Sequence, residues 1–142
     1  MAVYQLENTY YKKITLTSAE IKLLTTAEEL VPTAGADTLL TFKGAILVMN
    51  YGGTNVFTEA GDNLVIRYDG AVVVSDVVEC TGFIDQAATT ITRVIPVKDP
   101  IDASADIINK KLELFNNNAN FAGNAGGDNT LDIHIWYGIV KV

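Results

Sequence analysis

Residues 126–138 read GGDNTLDIHIWYG, a glycine-rich turn followed by a segment in which apolar and polar residues alternate. Successive side chains of a β-strand point to opposite faces of the sheet, so this alternation predicts a strand with one buried face. Ile133 and Ile135 fall on the buried face, whereas His134 and Trp136, the only histidine and the only tryptophan, fall on the other. We therefore expect a structural strand, with His134 at the surface or in an interface.

An earlier stretch repeats this organisation. Residues 49–70 (MNYGGTNVFTEAGDNLVIRYDG) and residues 116–138 each contain an asparagine shortly before a phenylalanine, then Gly-Asp-Asn, then an alternating strand that ends near a tyrosine and a glycine. Glycine permits positive φ, and aspartate and asparagine side chains bond back to nearby backbone amides. The repeat predicts one strand–loop–strand hairpin used twice. Because calcium loops supply several carboxylates, a single carboxylate in each loop, Asp62 or Asp128, favours turn capping over calcium binding.

The remaining sequence predicts further short strands separated by turns. A short helix is expected after Thr17 or Ser18, with Glu20 in its first turn, and a second helical turn is expected at residues 79–86. Regularly spaced short strands without long helices between them are typical of antiparallel sandwiches and barrels. We therefore predict an all-β fold, an antiparallel and jelly-roll-like β-sandwich of about seven or eight strands with one or two short helices. The expected strands cover residues 28–31, 39–49, 63–68, 72–78, 90–97, 107–115 and 131–142.

Residues 1–13 (MAVYQLENTYYKK) lack clear periodicity and carry three tyrosines, Tyr4, Tyr10 and Tyr11. We interpret them as an N-terminal arm in front of a single β-sandwich domain over residues 14–142. Aromatic anchors on an arm of this kind can grip a neighbouring subunit. A frayed end or a short edge strand is the alternative.

The composition points to a protein whose surface is partly covered by other subunits. The chain has 142 residues, of which 49% are apolar and only 19% are charged, against about 25% charged in average proteins. A net charge of −7 argues against a nucleic-acid partner, because phosphate binding needs a basic surface. No apolar run is long enough for a membrane span, and residues 1–13 lack the apolar core of a secretion signal, so we expect synthesis in a cytoplasm.

The sequence contains no recognisable catalytic or metal-binding motif. With one histidine and one cysteine, Cys80, it cannot supply a His- or Cys-based zinc site, and a Cys80–His134 pair would require a coincidence of folding. Trp136 with Tyr137 and Tyr68 could form a sugar-stacking platform, but aromatic residues on half-buried strands more often pack or anchor interfaces. We therefore expect neither enzyme activity nor a cofactor nor a metal, and we expect interface roles for Tyr4, Tyr10, Tyr11, His134 and Trp136.

The order of several phrases resembles a known group of proteins. ITLTSAEIKLL, AEELVP, a long apolar strand that ends in YGG, GDNLVIRY and a closing alternating strand follow one another as in small β-sandwich virion proteins of tailed bacteriophages, which act as capsid decoration (cement) proteins. The resemblance covers about residues 14–142. It implies a jelly-roll-like fold, homo-oligomers that are often trimers, and attachment to the lattice of the major capsid protein. It implies no catalytic residues.

The favoured hypothesis is a structural virion protein that binds the outer surface of a phage capsid as an oligomer and stabilises the shell. Its expected partners are the major capsid protein and further copies of itself, with no nucleic acid and no membrane. It would be made in the host cytoplasm and would end on the capsid exterior. The alternatives are another virion component, such as a head-fibre base, a tail part or a receptor-binding module, and a carbohydrate-binding β-sandwich. A hydrolase with a hidden pair of carboxylates is the least favoured.

Overall fold

The computed structural model describes residues 8–70, 72–97 and 102–142, which contain ten strands and two short helices. In chain order these are β1 (Tyr10–Leu16), α1 (Ser18–Lys22), β2 (Glu28–Val31), β3 (Thr38–Asn50), β4 (Phe57–Thr58), β5 (Asn63–Tyr68), β6 (Val78–Glu79), β7 (Thr90–Val94), α2 (Ser104–Ile107), β8 (Leu112–Asn116), β9 (Ala122–Gly123) and β10 (Thr130–Lys141).

Eight of the strands form two four-stranded antiparallel sheets. Sheet A has the order β1-β10-β3-β7, sheet B has the order β2-β8-β5-β6, and β4 pairs with β9 in a third, two-stranded sheet. Side chains from both large sheets meet in one apolar core, for example Leu47 and Ile133 from sheet A with Leu64 and Leu114 from sheet B. The predicted all-β sandwich with two short helices is therefore confirmed.

The long strands β3 and β10 form the centre of sheet A. They pair from Thr130 opposite Asn50 to Lys141 opposite Thr38, with one irregularity between Trp136 and Tyr137. Ile133 and Ile135 are fully buried on the core side, and the residues between and beside them face away from it. Because a slip of one residue would turn these isoleucines to solvent, the alternation fixes the register of β10.

The prediction of two hairpins is wrong. The strands that flank the first repeated loop, β3 and β5, belong to different sheets, and so do β8 and β10, which flank the second. Each repeated unit is therefore an arch that carries the chain from one sheet to the other. Alternation along a strand shows which face is buried but not which strand completes its hydrogen bonds, so an arch and a hairpin look alike in sequence.

The two arches hold each other through their Gly-Asp-Asn turns. The carboxylate of Asp62 accepts a hydrogen bond from the backbone amide of Ala119 in the other arch at 2.8 Å. Asn129 reaches in the opposite direction, since its side-chain carbonyl accepts from the Gly52 amide at 2.8 Å and its amide donates to the Asn55 carbonyl at 2.9 Å. Both ends of the paired β4 and β9 strands are thus tied by side-chain bonds between arches.

Helix α1 begins as the sequence predicts. The Thr17 hydroxyl accepts from the Glu20 amide at 3.4 Å, and the Glu20 carboxylate accepts from the Thr17 amide at 2.7 Å, so the two residues form a reciprocal capping box. The Glu20 carboxylate also accepts from the Thr17 hydroxyl at 2.8 Å, and the bonds that it accepts from the Thr17 amide and hydroxyl lower the pKa of Glu20.

The expected boundary between the arm and the domain, after residue 13, falls inside β1. This strand begins at Tyr10 and pairs with β10 along its whole length, from Tyr10 opposite Tyr137 to Leu16 opposite Leu131. Residues 10–13 therefore belong to sheet A as part of an edge strand, which matches the alternative interpretation of this segment.

The strand predicted at residues 72–78 is mostly absent. Val73 and Ser75 form only isolated bridges, and the regular strand is limited to β6, Val78–Glu79. The buried Ser75 hydroxyl accepts a hydrogen bond from the Ile66 amide at 2.8 Å. The Ser75 side chain therefore takes the place of a partner strand, because it accepts the hydrogen bond that the Ile66 amide of β5 would otherwise donate to a backbone carbonyl.

The start of β8 differs from prediction. The strand expected at 107–115 starts only at Leu112, because Asn109 adopts a φ of 56°, which a β-strand does not allow and which asparagine tolerates.

The helical turn predicted at residues 79–86 is present. It is a single turn in which the amides of Phe83 and Ile84 donate to the Cys80 carbonyl. The short helix α2 was not predicted.

Candidate functional site

The outer face of sheet A, turned away from the core, brings together most of the residues that the sequence singles out. On neighbouring strands β1 and β10, Tyr11 lies opposite Trp136 and Lys13 lies opposite His134. Cross-strand neighbours on one face of an antiparallel pair are close enough for direct side-chain contact. We call the group formed by Tyr11, Lys13, Asp132, His134 and Trp136 the aromatic patch.

Three rings form the centre of the aromatic patch. The Tyr11 ring lies 5.3 Å from the Trp136 ring, centroid to centroid, with a tilt of 41°, and 6.0 Å from the His134 ring with a tilt of 18°. The Tyr11 hydroxyl is hydrogen-bonded to His134 Nδ1 at 2.8 Å. These contacts hold the three rings in place, and Tyr11 remains 53% exposed.

Asp132 forms the polar end of the aromatic patch. Its carboxylate accepts from the Thr15 hydroxyl at 2.6 Å and from the Asn50 side-chain amide at 3.1 Å, and it lies 3.4 Å from Lys13 Nζ. Burial raises the pKa of Asp132, but the hydrogen bonds from Thr15 and Asn50 and the Lys13 cation outweigh it and lower the pKa overall. The carboxylate is therefore held ionised and in a fixed orientation.

Aliphatic side chains extend the outer face beyond the aromatic patch. Ile46 and Val48 of β3 lie next to β10, and their partners on β7 are Arg93 and Ile91. Ile91 is 66% exposed. The face thus combines one exposed ring, Tyr11, and one exposed aliphatic side chain, Ile91, with half-buried apolar neighbours, a composition that is typical of a protein–protein contact surface.

The five residues with expected interface roles do not all meet. Tyr11, His134 and Trp136 lie together, whereas Tyr10 points to the other side of β1, where its ring stacks on Tyr137 with 5.5 Å between centroids. Tyr4 lies outside the described residues. The structure thus separates Tyr10 from the aromatic patch, because neighbouring residues of a strand face opposite sides.

The three aromatic residues that the sequence analysis considered as an alternative sugar-stacking platform do not come together. Tyr68 is buried on sheet B and donates its hydroxyl to the Leu40 carbonyl, and Tyr137 packs against the core. Burial raises the pKa of Tyr68 to about 12. Of the three aromatic residues, Trp136 alone lies on the outer face of sheet A, and its ring neighbour there is Tyr11.

The structure does not bring Cys80 and His134 together. Cys80 is fully buried in the core, and burial raises the pKa of its thiol to about 12, so it is a poor nucleophile. His134 lies on the outer face of sheet A. In the parts of the chain that the structure describes, no group of three or more histidine, cysteine, aspartate and glutamate side chains is arranged to hold a metal ion.

Each of the two turn aspartates makes a local bond and a bond to the other arch. Asp62 accepts from the Ala60 amide at 2.8 Å, and Asp128 accepts from the Asn124 side-chain amide at 3.0 Å, which are local contacts of the kind that turn-capping aspartates make. Asp128 also accepts from the Thr54 hydroxyl of the other arch. The bonds from Thr54 and Asn124 lower the pKa of Asp128.

No family model matches the chain, and no curated protein matches it. The function of the aromatic patch therefore has to be inferred from its own chemistry. Within residues 8–70, 72–97 and 102–142, no helix is long and apolar enough to cross a membrane.

Sequence reasoning missed the aliphatic half of the outer face. The signal was present in β3, where Ala45 to Met49 is apolar at every position and only alternate residues can face the core. A run that is apolar at every position is typical of a strand whose two faces are both covered, whereas only one face of β3 packs against the core of this domain. Ile46 and Val48 are the outward-facing members of this run.

Proposed function

We propose that this protein is a structural subunit without a catalytic role that docks onto a larger assembly through the aromatic patch. The observation that carries the proposal is the outward-facing cluster of the exposed Tyr11 with the half-buried His134 and Trp136. The half-buried Ile46 and Val48 continue it on the same face. Tyrosine and tryptophan dominate the energetics of protein interfaces because each buries a large area with few rotatable bonds.

We propose further that the assembly is the exterior of a tailed-phage capsid. The resemblance of the sequence to capsid decoration proteins supports this, and so does the net charge of −7, which suits a surface away from DNA. In this role each subunit would bridge neighbouring capsid proteins, and many weak contacts together would resist opening of the shell.

The jelly-roll-like arrangement is part of the same proposal. In chain order, the eight strands lie in sheets A, B, A, B, B, A, B and A, which are β1, β2, β3, β5, β6, β7, β8 and β10. A double-sheet jelly roll contains eight strands in two Greek keys, and the eight strands of sheets A and B fit that description.

The test measures the resistance of particles that lack the protein, the number of copies in wild-type particles, and the binding of variants to the deficient particles. Particles that lack the protein should lose resistance to heat and osmotic shock, and wild-type particles should contain hundreds of copies, as expected for a shell component rather than a tail. Trp136→Ala should reduce binding to such deficient particles by about tenfold or more, because truncating a central aromatic anchor removes a dominant contact. Ile139→Ala is the matched control, since Ile139 lies further along β10 and is 37% exposed.

Three results would contradict the proposal. Deficient particles could be as resistant as wild-type particles, the protein could be present in only a few copies per particle, or Trp136→Ala could bind as well as Ile139→Ala. A few copies per particle would instead support a tail or fibre component.

A carbohydrate-binding sandwich is the second candidate, favoured by one feature of the patch. The Tyr11 and Trp136 rings lie on the same face as Asp132, Asn50 and Lys13, and sugar sites combine stacking rings with polar side chains. A glycan array probed with the wild type and with Trp136→Ala tests it. Binding that depends on Trp136 would support it, and no binding to any glycan would dispose of it.

A further inference from the structure

The side of the sandwich formed by β6 and β7 exposes three aliphatic side chains. Ile91 is 66% exposed, Val77 is 59% exposed and Ile95 is 57% exposed. Exposed aliphatic groups clustered at one side of a small domain are a typical feature of an interaction surface. This side lies across sheet A from the edge strand β1, which carries Tyr11 of the aromatic patch.

Backbone bonds join the two layers of this side. The Asp76 amide, just before β6, donates to the Ile95 carbonyl, just after β7, at 2.9 Å, and the Val97 amide donates to the Val74 carbonyl at 3.0 Å. The chain beyond β7 is therefore already bonded, so a partner at this level has to contact side chains. We call the group formed by Val77, Glu79, Ile91, Arg93 and Ile95 the aliphatic edge.

The charges of the aliphatic edge are separated by layer. Arg93 lies on β7 in sheet A, and Glu79 lies on β6 in sheet B; both side chains are exposed. The same separation is found along the strands of both sheets. The strands of sheet A carry five basic side chains and one acidic one. Those of sheet B carry four acidic side chains and one basic one, of which Arg67 and the buried Glu113 form an ion pair with each other.

An edge with a basic side chain in one layer and an acidic side chain in the other is complementary to itself. A two-fold axis parallel to the strands places sheet A of one copy against sheet B of the other, so Arg93 of each copy meets the acidic layer of the other. A two-fold axis perpendicular to the sheets would place A against A, and basic side chains would face each other. Complementary charges select the first arrangement and disfavour the second.

We propose that the aliphatic edge binds the same edge of a second copy of this chain around a two-fold axis parallel to the strands. Arg93 faces Glu79 of the partner subunit, and Ile91, Ile95 and Val77 of both copies pack around these two ion pairs. An apolar centre with paired charges is the composition of a specific interface.

This contact goes beyond the docking proposal, because it uses none of the residues of the aromatic patch, although Ile91 and Arg93 also border the outer face of sheet A. It also differs from a three-fold ring, in which this edge would meet the opposite edge of the next subunit. With like sheets adjacent, such a ring would bring Arg93 near Lys12 and Lys13 of β1, and it would bring Glu79 near the acidic side chains of β2. Like charges would then oppose each other in both layers.

Sedimentation velocity over a range of concentrations, with the full chain, tests the proposal. The wild type should form dimers whose affinity falls as salt concentration rises. Arg93→Glu and Glu79→Arg, each alone, should weaken dimerisation about tenfold or more, because each brings like charges together twice per dimer. An equimolar mixture of the two variants should dimerise again, since every contact then joins an acidic to a basic side chain. The two far-UV circular dichroism spectra serve to show that both variants are folded.

Lys12→Glu and Glu29→Arg on the opposite edge strands are matched controls that make the same charge changes outside the aliphatic edge. They should leave dimerisation unchanged. A wild-type chain that stays monomeric at high concentration would overturn the proposal, and so would a mixture that does not regain dimers. Equal loss in the control variants would also overturn it, because it would show a net-charge effect. Loss of dimers without loss of capsid binding would separate this contact from the proposed function.

Discussion

The Tyr11 hydroxyl and His134 Nδ1 lie 2.8 Å apart and link the edge strand β1 to the centre of the outer face of sheet A. Both side chains are on a surface open to solvent, so this bond organises the aromatic patch more than it stabilises the fold. The patch is therefore arranged before any partner arrives, which lowers the entropy lost on docking.

The inner and outer faces of β10 should respond very differently to truncation. Ile133→Ala removes a fully buried side chain and should cost about 2–5 kcal/mol of unfolding free energy. His134→Ala, one residue along, should cost less than about 1 kcal/mol, because it removes one partly exposed hydrogen bond. Urea unfolding measures both. Similar losses for the two variants would show that β10 does not present alternate faces to core and solvent.

The bonds between the arches should contribute strongly to stability. Asn129→Ala removes a fully buried side chain, leaves the Gly52 amide without its side-chain partner and removes one of the two side-chain amides that donate to the Asn55 carbonyl, the other being that of Asn124, and it should cost at least about 2 kcal/mol. Asn118→Ala is the control, since it removes only an exposed bond to the Ala60 carbonyl and should cost under about 1 kcal/mol. Equal stabilities in chemical denaturation would contradict this role for Asn129.

Because the two arches approach each other closely at Gly123, a side chain at this position should lower the free energy of unfolding. A Cβ at this position would lie 2.5 Å from the Val56 carbonyl oxygen and 2.8 Å from the Thr58 amide nitrogen. Gly127 has a similar positive φ with nothing within 4 Å of such a Cβ, so Gly127→Ala should cost only about 1–2 kcal/mol of backbone strain. Gly123→Ala should cost about 1–3 kcal/mol more, because backbone atoms must also move. Thermal unfolding that ranks the two variants equally would refute the close contact.

Acid should weaken the fold partly through Asp132. Its pKa lies below the ordinary value of 3.8 in the folded state, so its ionised form stabilises the protein above that value. This contribution should be lost as the pH falls below 3.8 through the folded-state pKa. Asp132→Asn should therefore flatten the acidic side of the stability profile, measured by denaturant unfolding from neutral to strongly acidic pH. A variant profile parallel to that of the wild type would show that Asp132 does not contribute.

Strands with regular apolar patterns could be predicted from the sequence. Segments whose backbone is bonded by side chains instead of by a partner strand could not. The predicted strands at residues 28–31 and 63–68 have the observed bounds of β2 and β5. The apolar run 72–78 looks like a strand, but the Ser75 hydroxyl bonds to β5 instead. Of the candidate site, the outward position of His134 and Trp136 followed from alternation, whereas their contact with Tyr11 depended on which strand pairs with β10.

Local pattern in the sequence determined which residues face the core, where α1 begins and that the fold is built from short antiparallel strands. Only the tertiary structure decided that the two repeated units are arches that cross between sheets, that Asp62 and Asn129 tie them together, and that exposed aliphatic groups lie at one edge. The reason is physical: burial and capping depend on neighbours a few residues away, whereas strand pairing joins residues far apart in the chain, and the alternation of a strand is the same for every partner it could pair with.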